Sequence, residues 1–392
     1  MNPLRFLIVG TFGLTLMTVN LHAQAKLTAS EFAPTGMVGS VVGISVDPQG
    51  RVYVTQTQRR THGALDIRKY RDWIPRTLAA QSTEDKRSLI REEFDQGSVG
   101  DANNDGTIDW QDLLIPSEQV LMLEDTDQDG LADRKFTVAD NFSTEITGLA
   151  GSVLVHDGSV YTTIIPDLWR LDDLDGDGLV EERTSLATGF GLHVGYGGHD
   201  MHGLALGPDG KIYWSIGDKA FSVTHTDGKH AHYPYHGAIL RCDPSGSNFE
   251  VFAKGLRNPQ EPMFDDLGNL FVVDNDSDFG DREGFRYILE GSDSGWRTMH
   301  QYRAKEGYNV WTDEELWRPH FHQQAAYITP CIVNFSEGPA GFAYNPGTAL
   351  SEALQGHFFL AEFPGKRLQA FQAIPTGAGF TLANPGIVHQ GH

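Results

Sequence analysis

The centre of the chain reads Gly203-Leu-Ala-Leu-Gly-Pro-Asp-Gly-Lys-Ile-Tyr213, and this stretch indicates the fold. Two apolar runs flank Pro208-Asp-Gly210, a turn in which proline presets one backbone angle and glycine accepts a left-handed one. Such a pattern predicts a β-hairpin. The pattern recurs at Val41–Thr55, Gly151–Tyr161, Met263–Val272 and, in a weaker form, Gly341–Leu360.

Hairpins that return roughly every 50–60 residues are typical of β-propeller blades. The leucine and helix signatures of horseshoe and helical repeats are missing from the sequence. We therefore predict an all-β propeller. A propeller closes its ring so that no sheet edge stays open, yet the sequence reaches His392 soon after the fifth hairpin. Either the ring closes with fewer blades or, as we favour, the chain is a fragment that stops before its last blade.

The N-terminus has the three parts of a signal peptide. Arg5 supplies a positive charge, an apolar run extends from Phe6 to Val19, and Ala23-Gln-Ala25 offers small residues for cleavage. We assign residues 1–25 to this signal, with a membrane anchor as the alternative. The expected protein is exported, to the periplasm or the cell exterior, and residues 26–392 form the propeller domain.

The composition and net charge of the chain argue against some classes of binding partner. The chain has 392 residues, 40% of them hydrophobic, and a formal net charge of −22. This charge argues against nucleic acid and against direct insertion into an anionic membrane. Only Cys242 and Cys331 are present, which excludes a disulfide framework. One bridge remains open to them, although we expect two unpaired, buried thiols.

Residues from about 60 to 135 break the hairpin pattern. The stretch from Ile67 to Phe94 is rich in Arg, Lys, Glu, Leu and Ala, so we predict one or two helices there, with their charges on a solvated face. Two acidic loops follow within the same range. We therefore predict a helical and calcium-loop insertion in the propeller.

Three segments place oxygen-bearing side chains at alternate positions, with a glycine at the sixth. Calcium takes about six to eight oxygen ligands, and the glycine allows the backbone to turn so that these ligands converge. The alternative is that each Asp-Gly pair only makes a turn. The candidate ligands are Asp101, Asn103, Asp105, Asp109 and Asp112 in the first loop, Asp125, Asp127, Asp129 and Asp133 in the second, and Asp173, Asp175, Asp177 and Glu181 in the third.

An ordered set of short motifs covers residues 195–372. The set comprises His199 with the glycine-rich strand after it, Ile216-Gly-Asp218, Gly255-Leu-Arg-Asn-Pro-Gln260, Gly291-Ser-Asp-Ser-Gly-Trp296, Pro339-Ala-Gly-Phe-Ala-Tyr344 and Gly365-Lys-Arg-Leu-Gln-Ala-Phe371. In this order the motifs resemble the soluble sugar dehydrogenases that use pyrroloquinoline quinone (PQQ), which are six-bladed propellers. The chain is also similar to exported bacterial proteins in which such a propeller precedes a c-type cytochrome domain.

The resemblance implies roles for several of these residues and for two aspartates of the loop at residues 274–276. His199 would be the general base that takes the hydroxyl proton of a sugar, and Asp218 would orient it. Calcium would be held by Asp274 and Asp276. Carboxylates and quinone oxygens of the cofactor would be held by Arg257, Asn258, Gln260 and Lys366.

These roles have simpler alternatives. His199 and His202 could be histidines of a turn or of the propeller tunnel, and Arg257 could brace a carboxylate between blades. The histidines between Thr224 and Gly237 match no strong zinc spacing, so a solvated loop is favoured over a metal site.

We expect a PQQ-type oxidoreductase that acts on a sugar or polyol, with a c-type cytochrome as a possible electron acceptor. The competing hypothesis is a non-catalytic propeller, stabilised by calcium, that binds carbohydrate or a protein partner within a larger protein.

Overall fold

The computed structural model describes residues 27–94, 100–176, 180–225, 228–303, 308–335, 338–348 and 350–390. The predicted signal peptide lies outside these residues. None of the helices that the structure describes is long and apolar enough to cross a membrane.

The first two sheets each contain four consecutive antiparallel strands. The first sheet comprises β1 (Ser40–Val46), β2 (Val52–Thr57), β3 (Glu118–Glu124) and β4 (Arg134–Phe142). The second comprises β5 (Ala150–His156), β6 (Ser159–Ile164), β7 (Asp167–Asp172) and β8 (Glu182–Thr188).

The third sheet has the order β14-β13-β10-β9, because a small hairpin of β11 and β12 interrupts the chain. Its elements are β9 (Met201–Leu206), β10 (Ile212–Ile216), β11 (Phe221–Thr224), β12 (His230–Tyr233), β13 (Gly237–Cys242) and β14 (Glu250–Leu256). The fourth sheet comprises β15 (Pro259–Phe264), β16 (Leu270–Asp274), β17 (Glu283–Ile288) and β18 (Val333–Phe335). The fifth comprises β19 (Pro339–Asn345), β20 (His357–Glu362), β21 (Arg367–Thr376) and β22 (Gly379–Gln390).

The five sheets are arranged as the blades of a propeller. Their first strands, β1, β5, β9, β15 and β19, lie side by side around one axis. Each contributes residues to the wall of an axial cavity of about 250 Å³, among them Val41, Gly151, His202, Gln260 and Gly341. All five predicted hairpins are present, each as the two innermost strands of a blade. The prediction of an all-β propeller is confirmed.

Aromatic side chains fill the space between the fourth and fifth blades. Phe271 and Phe285 lie on the fourth sheet and pack on Phe358, with ring centroids 5.1 Å and 5.9 Å apart. Phe342 and Phe371 complete this fully buried cluster. Burying one such side chain contributes about 1.5–3 kcal/mol, so the cluster fixes the relative position of the two blades.

The first blade leaves one apolar face uncovered within the described residues. Ile44 and Val46 of β1 are 66% and 58% exposed, whereas the middle strands of the blades are buried. The predicted last blade would be formed by residues other than those that the structure describes. It therefore stays a prediction.

The predicted insertion leaves the first blade after β2 and returns at β3. It contains α1 (Arg59–His62), α2 (Ile74–Ala79) and α3 (Thr83–Glu93), with short 3-10 helices at Ile67–Lys69, Arg71–Trp73 and Trp110–Leu114. Ser82 caps α3, accepting a hydrogen bond from the Asp85 backbone. Because β3 begins at Glu118, the second acidic loop belongs to the first blade and joins β3 to β4.

Antiparallel strands divide the loops between two ends of the propeller. We call one the His199 end; it holds the starts of β9 and β15, the turns after β10 and β16, and the insertion. The other we call the acidic-loop end; it holds the turn 47–50 and the loops 125–133 and 173–181.

Candidate active site

His199 and Asp218 meet at the His199 end of the third blade. His199 immediately precedes β9, and Asp218 follows β10. Their Nδ1 and Oδ1 atoms lie 2.8 Å apart, and their side chains are only 9% and 5% exposed. A carboxylate can only accept, so Nδ1 of His199 is the donor and Nε2 is left as the basic nitrogen.

Burial and charge set the protonation of this pair. Burial lowers the pKa of His199, although the nearby Asp218 opposes this shift. Burial alone would raise the pKa of Asp218, but His199, Arg257 and Trp296 outweigh it and lower that pKa. The arrangement holds a neutral imidazole beside an ionised carboxylate, which suits a general base.

Trp296 is a third member of this cluster, although its place in the sequence is more typical of a core residue than of a site residue. Its indole Nε1 donates to Oδ2 of Asp218 over 2.9 Å. Trp296 itself is 2% exposed, and its backbone N–H is bonded to Gly255. Each oxygen of Asp218 therefore has its own donor, which fixes the carboxylate in one orientation. Trp296 and Trp311 pack edge to face, with ring centroids 5.3 Å apart.

Arg257 and Asn258 begin the fourth blade beside this pair. Oδ1 of Asp274 accepts hydrogen bonds from both of their backbone N–H groups, at 3.2 Å and 2.8 Å. The side chain of Asn258 donates to the carbonyl of Gly198, the residue before His199. The fold thus brings four predicted site residues together, His199, Asp218, Arg257 and Asn258.

Two other predicted residues lie apart from that group. Gln260 lies two residues after Asn258, on β15, and lines the axial cavity together with His202. His202 is partly buried, and the loss of water around its ring lowers its pKa. Its Nε2 contacts the oxygens of Gly198 and Asn258. Lys366 is exposed in the turn between β20 and β21. The proposed contact of Gln260 and Lys366 with a cofactor stays a prediction.

The guanidinium of Arg257 is engaged by the protein itself. Its Nε donates to Oε1 of Gln301 over 2.9 Å, and its Nη2 lies 3.0 Å from Asp278. Gln301 lies on α4 (Thr298–Arg303), which crosses the site after Trp296. On the other side, the ring of Tyr196 lies 5.6 Å from that of His199. These side chains shield His199 from water.

The loop after β16 is strongly acidic and only partly available to a cation. Asp274 is buried, which raises its pKa, and its oxygens already accept the backbone N–H groups of Arg257 and Asn258. Burial and the neighbouring Asp281 raise the pKa of Asp276. Burial and Asp276 raise the pKa of Glu283 to about 8. Glu283 was not among the predicted site residues, because it lies beyond the motif on the next strand.

The three predicted calcium loops differ in how far their carboxylates converge. Oxygens of Asp125, Asp127 and Asp133 lie within 4.8 Å of one another, as do those of Asp173, Asp175 and Glu181. The sixth-position glycines Gly106 and Gly130 adopt positive φ angles of 91° and 94°, as the spacing requires. Asp177 lies outside the described residues.

The first acidic loop is held by its own hydrogen bonds. Asp101 accepts the backbone N–H groups of Asp105 and Gly106. Asp112 is fully buried and accepts those of Ala102, Asn103 and Asp109. Asp112 therefore closes the loop onto the short helix at Trp110–Leu114, and Asp109 caps that helix.

The remaining candidates have structural partners. His230 and His232 stack with ring centroids 5.8 Å apart, and His232 also contacts Gln81 on the insertion. Cys242 and Cys331 are both free, as expected, but only Cys242 is fully buried.

Comparison with known proteins places the chain in a family. A family model described as a domain of unknown function, DUF7133, matches residues 15–385. The chain belongs to this family. A curated relative of this DUF7133 protein is quinoprotein glucose dehydrogenase B of Acinetobacter calcoaceticus, which is 28% identical over an alignment that covers 28% of this chain and 28% of the relative.

Two solved structures are also similar to the DUF7133 protein. One is described as an oxidoreductase (glucose dehydrogenase) from Thermus thermophilus, with 14% identity, coverage of 90% of this chain and 85% of that chain, and a TM-score of 0.50. The other is the PQQ-bound form of an aldose sugar dehydrogenase from Streptomyces coelicolor, with 15% identity, coverage of 89% and 81%, and a TM-score of 0.49. The family resemblance read from the sequence is confirmed.

The donor set at the His199 end can be tested against a quinone that carries carboxylates. A guanidinium group is the side chain best suited to a carboxylate, and Arg257 provides one beside His199. Two of its three nitrogens have protein partners, and Nη1 has no hydrogen bond among the described residues. The residue types at this site therefore suit a quinone that carries carboxylates. Its binding would require the hydrogen bond between Arg257 and Gln301 to break.

Proposed function

We propose that the DUF7133 protein is an exported, PQQ-dependent oxidoreductase that oxidises a sugar or polyol at the His199 end of its propeller. The observation that carries this proposal is the buried arrangement of His199, Asp218 and Trp296 beside Arg257. The partial similarity to quinoprotein glucose dehydrogenase B supports the same chemistry.

Within this proposal His199 is the proton acceptor. Its Nε2 takes the proton of a substrate hydroxyl, because Nδ1 already donates to Asp218. Asp218 stabilises the imidazolium that results, and Trp296 holds Asp218 in place. Arg257 and Asn258 would hold carboxylate and carbonyl oxygens of the cofactor, with Gln260 and Lys366 as further candidates. When bound, the quinone supplies the hydride acceptor.

Water exclusion belongs to the same mechanism. Tyr196 packs against His199, and the ring of Tyr302 lies edge-on to Tyr196 at 6.4 Å. Burial raises the pKa of Tyr302, so its phenol stays neutral. A dry site strengthens the interaction between Asp218 and the imidazolium.

We propose calcium as a structural ion at the opposite end. The two clusters of converging carboxylates, in loops 125–133 and 173–181, flank a cleft of about 970 Å³ between the first and second blades. A bound cation would offset the mutual repulsion of these groups and order both loops. By the family resemblance, Asp274 and Asp276 are candidates for a second role in calcium binding near the cofactor.

Reconstitution tests the proposed function. The full mature protein with calcium receives PQQ, and quinone absorbance and dye reduction are followed across a panel of sugars. We expect stoichiometric binding and turnover that falls about 100-fold or more in His199→Ala. His156→Ala, at the acidic-loop end, is the matched control and should retain activity.

The competing hypothesis predicts another result. If the folded, calcium-loaded protein binds no PQQ but binds a sugar, it is a carbohydrate-binding propeller without redox chemistry.

A further inference from the structure

Two consecutive arginines of α1 have opposite environments. Arg59 is fully buried and donates to the backbone oxygens of Leu113, Pro116 and Gly63. These bonds tie α1 to the segment that leads back to β3, and the backbone N–H of Arg59 donates to Glu118 at the start of β3. Arg60 is exposed, and its guanidinium has no hydrogen bond, ion pair or aromatic contact within the described part of the chain.

Arg60 reaches the peptide that carries His199. Its Nη1 lies 3.4 Å from the position that a Cβ atom would occupy at Gly198. Gly198 has a φ of 90° and directly precedes His199, and its carbonyl accepts from Asn258 and His202. Because glycine has no side chain, nothing at position 198 covers or neutralises the guanidinium.

The insertion is tied firmly to this peptide. The backbone of Ile67 donates to Gly195 over 2.9 Å, and that of Gly197 donates to Asp66 over 3.1 Å. The guanidinium of Arg68 lies over the ring of Tyr196, 4.9 Å from its centroid. Several contacts between the insertion and residues 195–197 therefore hold Arg60 beside Gly198, so that its position does not depend on its own flexible side chain alone.

The other two guanidinium groups near this peptide are neutralised. Arg68 is paired with Asp66, and Arg257 with Asp278. Lys219 is buried in a 2.8 Å ion pair with Asp200. Among these described groups, Arg60 is thus the cation beside Gly198 that has no carboxylate partner, in a protein of net charge −22 that would otherwise repel an anion.

We propose that Arg60 is a binding residue of the His199 site and that it holds a carboxylate of the bound ligand. A guanidinium offers two parallel N–H donors to a carboxylate, which favours a fixed orientation over simple charge attraction. The carboxylate could belong to the quinone cofactor or to an acidic sugar such as a uronate. This inference rests on the proposed function for the identity of the ligand, but not for the presence of a carboxylate-binding group.

Calorimetric titration with PQQ and with glucuronate tests this inference. The protein variants are the wild type, Arg60→Ala, Arg60→Lys and the control Arg71→Ala, which removes the same charge from an exposed position of the same insertion. Loss of one charge-assisted contact should weaken binding about tenfold or more in Arg60→Ala. Arg60→Lys should recover part of this loss, and Arg71→Ala should change affinity less than about twofold.

The two sources of the carboxylate give different results. If the cofactor supplies it, Arg60→Ala weakens PQQ binding and leaves the affinity for glucuronate unchanged. If the substrate supplies it, PQQ binding is unchanged, glucuronate binding weakens, and the KM for glucose stays the same.

Failure of the two proposals can be told apart. A wild type that binds no PQQ contradicts the proposed function, and the glucuronate titration then decides the role of Arg60 alone. Equal affinities of wild type and Arg60→Ala for both ligands, with both proteins folded by circular dichroism, would overturn the inference. So would a loss in Arg71→Ala as large as that in Arg60→Ala.

Discussion

At the His199 end, Asp218 and Asp200 are buried against His199 and Lys219, whereas at the acidic-loop end Asp127 and Asp175 lie exposed in surface loops. The pKa of both carboxyls at the first end is lowered, because their partners on other segments of the chain outweigh the effect of burial. The groups at the second end come from single loops and converge through local spacing. We therefore expect proton transfer at the first end and structural ion binding at the second.

The largest expected effect is that of Asp218→Asn. An amide cannot stabilise the imidazolium of His199, and it favours the wrong tautomer, so kcat should fall about 100- to 10,000-fold. Steady-state kinetics with saturating PQQ measures this loss. Asp157→Asn, on an exposed turn at the other end, should leave kcat unchanged; equal losses in both variants would remove the distinction between the ends.

A smaller effect is expected for Trp296→Phe, which deletes only the N–H donor to Asp218. The carboxylate becomes a stronger acceptor for His199, so the pKa of His199 rises. We predict a kcat about tenfold lower and an acidic limb of the pH–rate profile that moves to higher pH. Trp311→Phe changes the neighbouring ring and should not shift the profile. A profile that is unchanged in Trp296→Phe would show that this tryptophan is only packing.

The buried Lys86 allows the effect of burial on a charged group to be tested through the stability of the protein. It lies on the buried face of α3 and donates to the carbonyls of Ile146 and Gly191. Burial lowers its pKa from 10.5 to about 7. Between these values the unfolded chain binds the extra proton. The contribution of Lys86 to the free energy of unfolding therefore rises with pH from about 7 to 10.5, by at most about 1.4 kcal/mol per unit.

Denaturant titrations of wild type and Lys86→Met at about pH 7, 8 and 9 measure this contribution. The difference between the two proteins should become steadily more favourable to wild type as pH increases. A difference that does not depend on pH would mean that Lys86 keeps its charge in the folded protein.

The last expected effect concerns calcium at the acidic-loop end. Calcium at about 100 times its dissociation constant should raise the free energy of unfolding by about 2.7 kcal/mol, which is a shift of several degrees in Tm. Asp125→Asn with Asp127→Asn should reduce this shift. Asp101→Asn with Asp105→Asn should not, since the described residues of the first loop include no such trio of converging carboxylates. A loss caused by Asp101→Asn with Asp105→Asn instead would reverse the assignment.

Much of the fold could be predicted because its signals are local. A turn such as Pro208-Asp-Gly210 between apolar runs defines a hairpin by itself, and all five inner hairpins were found in this way. The acidic loops are equally local, since the glycine at position six and the alternating oxygens lie within a few residues. The extent of the insertion was less clear, because β3 has no turn signal of its own.

The site could be predicted only in part, for the same reason. His199, Asp218, Arg257 and Asn258 stand out as motif residues, and the fold brings them together. Trp296 lies 78 residues from Asp218, and Gln301 lies 44 residues from Arg257. No periodicity links such pairs, because their contact depends on how the chain runs between the third and fourth blades.

The central claim is that the ligand binds at the His199 end while the acidic loops only stabilise the propeller. Backbone hydrogen exchange of the calcium-loaded protein, with and without PQQ, tests it most directly. We predict slower exchange at residues 195–200, 256–260 and 298–302 on addition of PQQ, with no change at 125–133 and 180–182. Protection confined to the acidic loops, or no protection anywhere, would contradict the claim.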